Sequence, residues 1–220
     1  MNFFQNKKIL ITAGPTHEPI DPVRFIGNRS SGKMGYAIAE ELANRGAKVY
    51  LVSGPVNLAS FNPSIELIKV QTAEEMFQAC HKIFQEVDVA ILAAAVADFT
   101  IKDPATQKIK KKKDSNEMVL TLVKTKDISK SLGEIKSNNQ TLIGFALETN
   151  NPEINALKKL KVKNLNFIVL NSLEDKGAGF AHDTNKITIL DNNNNNTIFE
   201  LKTKQEVAVD IVNYLVNYKK

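Results

Sequence analysis

Five short apolar runs, at about 8–13, 48–53, 88–95, 141–147 and 166–171, alternate along this chain with amphipathic stretches at about 33–45, 73–86, 128–137 and 152–163. Apolar runs of that length suit strands buried on both faces, and apolar recurrence every three to four residues suits one-sided helices. Parallel strands need long crossovers, usually helical, so the alternation predicts a parallel sheet covered on both faces. The expected fold class is therefore α/β: a three-layer Rossmann-like domain with a mainly parallel sheet, a projecting β arm and a late β-hairpin. The arm is placed at about 105–124, where Met118 to Lys124 alternates apolar and polar side chains. The hairpin is read as Lys186 to Leu190 and Thr197 to Leu201 around a polar turn, Asn192 to Asn196. Val207, Ile211, Tyr214 and Leu215 stripe a final helix, and no repeat or Pro/Gly-rich linker divides residues 1–220 into more than one domain.

The helix near residue 73 opens with Thr72 and Glu75 at capping-box spacing, and Met76, Phe77, Cys80, Ile83 and Phe84 form one stripe. The lone Cys80 is thereby read as a buried small hydrophobe, and a disulfide within one chain is excluded. His17, His81 and His182 show no metal-ligand spacing, so a zinc site is not expected. A composition of 43% hydrophobic and 24% charged residues is that of a soluble globular protein. Near the N-terminus only Ile9 to Ala13 is apolar, too short for a signal core or a membrane span, so no membrane partner and a cytoplasmic location are expected.

The densest chemistry follows the first strand. Asp21-Pro22-Val23-Arg24-Phe25-Ile26-Gly27-Asn28 runs into Ser30-Ser31-Gly32-Lys33-Met34-Gly35, and then Met34, Ile38 and Leu42 recur at helical spacing until Gly46. The glycines fall at a helix N-terminus, where unpaired N–H groups and the positive end of the dipole favour a phosphate. From Gly14 to Ser31 the connection is about 18 residues, far beyond the usual two to six, and its apolar Val23, Phe25 and Ile26 argue for a built site.

Net charge is +5, and Lys108 with Lys110 through Lys113 puts five lysines in six residues. A solvated loop, a nucleic-acid contact or a triphosphate contact would each account for that run. Nucleic acid is disfavoured because no arginine-rich face or aromatic interleaving accompanies it.

Read in order, Asp21 to Gly35, Ala93-Ala94-Ala95-Val96-Ala97-Asp98-Phe99, Lys108-Ile109-Lys110-Lys111, Lys126-Asp127-Ile128, Gly144-Phe145-Ala146-Leu147-Glu148-Thr149 and Asn171 resemble the motifs of phosphopantothenoylcysteine synthetase. In many bacteria that ligase is the C-terminal half of a bifunctional flavoprotein, and the resemblance covers nearly the whole chain. One departure is visible: Gly14-Pro15-Thr16 stands where many relatives carry Gly-Gly-Thr. The resemblance implies coupling of 4'-phosphopantothenate to L-cysteine with CTP and Mg²⁺, through an acyl-cytidylate. It also implies a homodimer, and a phosphopantothenoylcysteine decarboxylase domain or protein as partner.

Carried over position by position, Leu92, Ala93, Ala94 and Asp98 match the nucleotide-binding strand end, and Lys108 matches the lysine at the reacting phosphate. Lys126, Asp127, Ile128, Ser129, Phe145, Lys159 and Lys163 match further CTP contacts. Gly14, Arg24, Ser30, Ser31, Gly32, Lys33, Gly35 and Asn171 are assigned to phosphate and substrate, and Asn28 to conversion of the acyl-cytidylate. Each also has a plainer reading. Ala93 to Ala95 could be tight strand packing, Asp98 a cap, Phe145 core, Lys159 and Lys163 solvated, and Asn28 a left-handed turn residue. Arg24 could neutralise Asp21 or grip a phosphate as a bidentate donor.

Two rivals remain. A dinucleotide oxidoreductase shares the first strand and glycine-bearing helix. It is opposed by the missing Gly-x-Gly-x-x-Gly and by a second strand ending Val52-Ser53-Gly54 without an acid for a ribose hydroxyl. A basic nucleotide- or RNA-binding module is the non-enzyme rival.

Overall fold

The computed structural model of the chain describes residues 3–110, 117–148, 150–172 and 182–219. In chain order the elements are β1 (Lys8–Ala13), β2 (His17–Pro19), β3 (Phe25–Gly27), α1 (Lys33–Asn44), β4 (Lys48–Ser53), β5 (Ile65–Lys69) and α2 (Ala73–Phe84). Then come β6 (Val89–Leu92), β7 (Phe99–Ile101), β8 (Leu122–Lys124), α3 (Ile128–Ile135), β9 (Thr141–Glu148), α4 (Pro152–Val162) and β10 (Phe167–Ser172). Last are β11 (Thr184–Asn185), β12 (Ile187–Asp191), β13 (Asn196–Ile198), β14 (Lys202–Thr203) and α5 (Lys204–Tyr218).

Eight strands form one sheet in the order β13-β12-β10-β9-β6-β1-β4-β5, parallel from β10 to β5 and antiparallel at β12 and β13. The chain moves outward from β1 to β5 and then returns to the other side of β1 as β6. The carboxyl ends of β1 and β6 therefore flank the point where strand order reverses, the place where ligands bind in such sheets.

Alternation along β1 divides the core. Ile9, Ile11 and Ala13 face one layer with Ile38 and Leu42 of α1 and Val207 and Ile211 of α5. Leu10 faces the other with Met76, Cys80 and Phe84 of α2, Leu132 of α3 and Leu160 of α4. Each fully buried aliphatic side chain contributes about 1.5–3 kcal/mol of transfer free energy. The Thr72–Glu75 capping box forms as expected, and Cys80 is fully buried with its thiol pushed up to about 12 by desolvation.

Two expectations change, and the first loop takes definite form. The run at 88–95 is a strand only to Leu92, because the following N–H groups turn to the first loop. Ala94 N donates to Thr12 Oγ1 at 3.1 Å, Ala95 N to Gly14 O at 2.9 Å and Ala97 N to Thr16 Oγ1 at 3.0 Å. That first loop is itself folded, with β2 and β3 paired antiparallel and the His17 ring stacked on Phe25 at 3.7 Å. An edge strand, β5, also stands where no strand was read. Its Ile65, Leu67 and Ile68 are only half-buried, and Glu66 and Lys69 are exposed, so no continuous apolar run marks it. Of the expected arm, β8 pairs with β7, and Lys111 to Lys113 lie outside the described residues. The late hairpin forms from β12 and β13, its turn held by the Asp191 carboxylate accepting from Asn193 N and Asn195 N, each at 2.9 Å.

Candidate active site

A crevice of about 570 Å³ opens at the carboxyl ends of β1, β6, β9 and β10. Its floor is the β6 exit, where Leu92, Ala93 and Ala94 present main chain and methyl groups, leaving room for a flat ring. Asp98 lies farther along the same exit with an exposed side chain, and its main-chain carbonyl accepts from Thr125 N at 3.0 Å.

One wall is the start of α1, with Ser30, Ser31, Gly32, Lys33 and Gly35. Gly32 is the N-cap at φ 78°, a left-handed conformation that glycine takes without strain. Among the described residues no side chain caps this helix and no acid occupies its first turn, and the Asp183 carboxylate is paired with the Lys33 ammonium. Gly35 lets α1 lie against β1: a Cβ there would stand 2.6 Å from the Ala13 Cβ.

The opposite wall carries the cations. Asp127 caps α3, accepting from Lys130 N at 3.0 Å and from Ser129 Oγ at 2.8 Å. Lys163 reaches across from the end of α4 to Asp127 at 3.0 Å and Ser129 Oγ at 2.9 Å, joining two helices, with Ile128 buried beneath them. Burial pushes the Asp127 carboxyl up, but the Lys130 N–H, the Ser129 hydroxyl and the Lys163 ammonium together bring it below its ordinary value. Lys159 pairs with Glu148 at 2.5 Å, and Lys126 pairs with Glu74 at 2.7 Å while lying 4.8 Å over the Phe77 ring. Phe145, half-buried on β9, and Asn171, at the end of β10, complete the lining expected from the sequence.

Four expected site residues lie apart from that lining. Gly14 sits just behind it, its carbonyl accepting from Ala95 N. Arg24 is bound to Asp21 through Nε at 3.1 Å and Nη2 at 2.5 Å, and donates to Ile109 O at 3.0 Å. Of its two readings, the contact with Asp21 is the one this structure contains. The reason is that Asp21 is 3% exposed and also collects the N–H groups of Val23, Arg24 and Ile109. The Arg24 guanidinium foremost, against burial and with those N–H groups, holds its carboxyl well below the usual carboxylate range. Lys108 is exposed and does not line the crevice, though its neighbour Ile109 is anchored to this cluster. Asn28 is exposed, and its Nδ2 donates to Ala95 O at 2.9 Å and Val96 O at 3.2 Å. The amide expected at a reacting carbonyl is bonded here to the strand exit, just past the end of β6.

Among the lining residues that escaped the sequence reading are Asn185 on β11 and Lys204 at the start of α5, both buried. Neither carries a local signal, because an asparagine after a threonine and a lysine in the first turn of an amphipathic helix look like surface residues. β4 ends at buried Ser53, whose hydroxyl donates to Gly54 O and accepts from Tyr36 Oη. Among the described residues no three His, Cys, Asp or Glu side chains are grouped to hold a metal, and no helix is long and apolar enough to cross a membrane.

Residues 4–218 match the family model described as the DNA/pantothenate metabolism flavoprotein C-terminal domain. The chain belongs to that family. It is 45% identical over 208 residues to the coenzyme A biosynthesis bifunctional protein CoaBC of Bacillus subtilis, covering 94% of this chain and 50% of that protein. It is 54% identical over 222 residues to a cysteine/cysteine sulfinic acid decarboxylase of an unknown prokaryotic organism, covering 96% of this chain and 61% of that one. The chain thus spans between half and two thirds of the length of these relatives. Among solved structures, the C-terminal domain of a CoaBC protein superposes with a TM-score of 0.82 at 43% identity, covering 98% of this chain and 96% of that one. The family membership bears out the resemblance, and the superposition bears out the α/β architecture.

Proposed function

We propose that this chain is the ligase that couples 4'-phosphopantothenate to L-cysteine in coenzyme A biosynthesis, consuming CTP and releasing CMP and pyrophosphate. The observation that carries the reading is the crevice at the β1–β6 switch point. There an uncapped helix N-terminus and the Lys126, Lys159 and Lys163 wall converge on an alanine-lined strand exit. No nucleophilic serine or cysteine is needed for such a reaction.

A carboxylate oxygen of the acid attacks the α-phosphorus of CTP, and the electron pair of the broken anhydride bond leaves on pyrophosphate. The cysteine amine then attacks the acyl-cytidylate carbonyl, CMP departs with the acyl oxygen, and the amine loses a proton. Both steps gather negative charge on phosphate oxygens, where preorganised cations and N–H dipoles stabilise the transition state most. Lys163 and Lys159 are held ready by Asp127 and Glu148, which orient the ammoniums before substrate arrives.

A magnesium ion fits this donor set as a companion of the triphosphate, since among the described residues Asp98 and Asp127 are the acids lining the crevice and Asp127 is already bonded. When bound it supplies charge neutralisation on the phosphates, its usual role with few protein ligands.

A homodimer is supported by apolar side chains on the two small ribbons, Phe25 at 52% and Phe99 at 45% exposure, with Leu122 alongside. A decarboxylase partner, fused or separate, is supported by the bifunctional relatives, and with this pathway goes a cytoplasmic location. The deciding experiment is pyrophosphate release from CTP, measured with phosphopantothenate and cysteine separately and together. Release should require the acid, and phosphopantothenoylcysteine should form only when both are present. Reduction of NAD(P) with no pyrophosphate would reject the reading.

A further inference from the structure

The lysine that joins α4 to α3 has its main chain seated against α3, one helical turn below the bonds that its side chain makes. Gly133 is buried in the last turn of α3, and a Cβ there would stand 2.0 Å from Lys163 O and 2.9 Å from Lys163 C. No side chain fits that gap, so the two helix ends meet through main chain. Glycine is a poor helix former, and the close approach is what calls for it at this position.

Side chains from both helix ends hold the contact. Asn164, the residue after Lys163, stands at φ 49°, the left-handed conformation that asparagine tolerates, and its Nδ2 donates to Gly133 O at 2.9 Å. That carbonyl is among the last four of α3, which have no partner within the helix. Lys136, the C-cap of α3, donates from Nζ to Asn164 O at 2.6 Å and to Asn166 Oδ1 at 2.9 Å. Asn166 Oδ1 also accepts from Leu142 N at 2.9 Å, which ties the contact to β9 inside the sheet.

From this seat the Lys163 side chain runs back along α3. Gly133 and Ser129 are four residues apart, a rise of about 6 Å, which is the reach of an extended lysine. Its Nζ stands 3.0 Å from Asp127 Oδ2, 3.2 Å from Asp127 Oδ1 and 2.9 Å from Ser129 Oγ. The span leaves little slack, so displacing the end of α4 by the breadth of a methyl group would draw the ammonium off the start of α3.

We propose that Gly133 and Asn164 are positioning residues of the ligase, seating the end of α4 so that Lys163 delivers its ammonium to the wall that meets the nucleotide. The inference rests on the ligase reading for the nucleotide alone.

Two measurements test it, the first without any nucleotide. Amine labelling of the folded chain, read by peptide mapping, compares Lys163 with Lys158 on the exposed side of α4. Asn164→Gly keeps the left-handed turn and removes the amide bond, and Lys163 should then label roughly threefold faster, the scale of one lost hydrogen bond. Gly133→Ala should have the larger effect on Lys163, with Lys158 unchanged in both variants. The second measurement is calorimetric titration with CTP. Gly133→Ala should weaken binding roughly fivefold in the wild-type background and hardly at all in Lys163→Ala, because both changes act through one ammonium. A merely structural defect would weaken binding by the same factor in both backgrounds. Should Gly133→Ala fail to fold, Asn164→Gly takes its place in the cycle with the same criterion. Unchanged Lys163 labelling in the variants, or equal losses of CTP affinity in the two backgrounds, overturns the proposal. Wild type that binds no CTP would reject the nucleotide reading, and faster Lys163 labelling would then leave the seating of Lys163 standing.

Discussion

Asn28 Nδ2 donates to the main-chain carbonyl of Ala95 at 2.9 Å, across 67 residues of sequence. With the companion bond to Val96 O, it fastens the end of the first loop to the exit of β6, where strand order reverses. The crevice floor and the loop leading into α1 are therefore tied to each other directly.

Asn28→Asp keeps the side-chain size but sets a carboxylate against two carbonyl oxygens, so the loop must leave the strand exit. The lysine wall, proposed to meet the phosphates, is built from α3 and α4 and does not use that bond. Pyrophosphate release from CTP and phosphopantothenate should persist, while coupling to cysteine slows roughly 100-fold and acyl-cytidylate accumulates. Mass spectrometry of the quenched reaction checks this. A variant that forms no acyl-cytidylate, or passes it to cysteine at the normal rate, would show that Asn28 has no part in the second step.

Asp21 anchors Ile109, and through it the segment that carries Lys108. Lys108→Ala is expected to lower turnover roughly 100-fold, on the scale of one lost charge-stabilising donor. Asp21→Asn should lower it less, and the double variant should fall short of the product of the two, because both act on one segment. The stability effect has a defined sign. The native carboxyl of Asp21 lies below its ordinary 3.8, so its contribution is complete above about pH 4 and fades as pH falls toward the native value. The difference in urea midpoint between wild type and Asp21→Asn should thus be larger at pH 7 than at pH 3. Independent effects, or a gap that widens in acid, would sink this account.

Lys163 joins α4 to α3 through Asp127 and Ser129 in the wall assigned to the nucleotide. Lys163→Ala should raise KM for CTP at least tenfold while costing about 1 kcal/mol of stability, the usual scale for such hydrogen bonds. Lys158→Ala, on the exposed side of the same helix, should change neither. Wild type should use CTP at least tenfold faster than ATP at equal concentration, about the value of one unmatched buried hydrogen bond. Equal rates with the two nucleotides would reject the cytidine assignment.

Cys80 is fully buried and its thiol is pushed up to about 12 by desolvation. At pH 8 the native protein should not react with a thiol reagent such as dithionitrobenzoate, and one equivalent should react on unfolding in guanidinium. Rapid labelling of the folded chain would contradict the packing of α2 against the sheet.

The sequence by itself determined the layers, because runs buried on both faces and one-sided helical stripes are local patterns. Ile9 to Ala13, the Met76–Cys80–Phe84 stripe and the Thr72–Glu75 box each appear where they were read. It also marked the alanine strand exit and the uncapped start of α1, since glycine and small residues between a strand and a helix are informative at short range. The edge strand β5 was not legible, because half-burial removes the apolar run that announces a strand. Only the tertiary structure shows the Arg24–Asp21 contact, since it depends on Asp21 being sealed under the Ile109 segment 88 residues away. The same holds for Lys204 and Asn185. A lysine and an asparagine look solvated in any linear reading, and only the fold buries them at the edge of the crevice. Burial is set by which distant segments the sheet brings to one end.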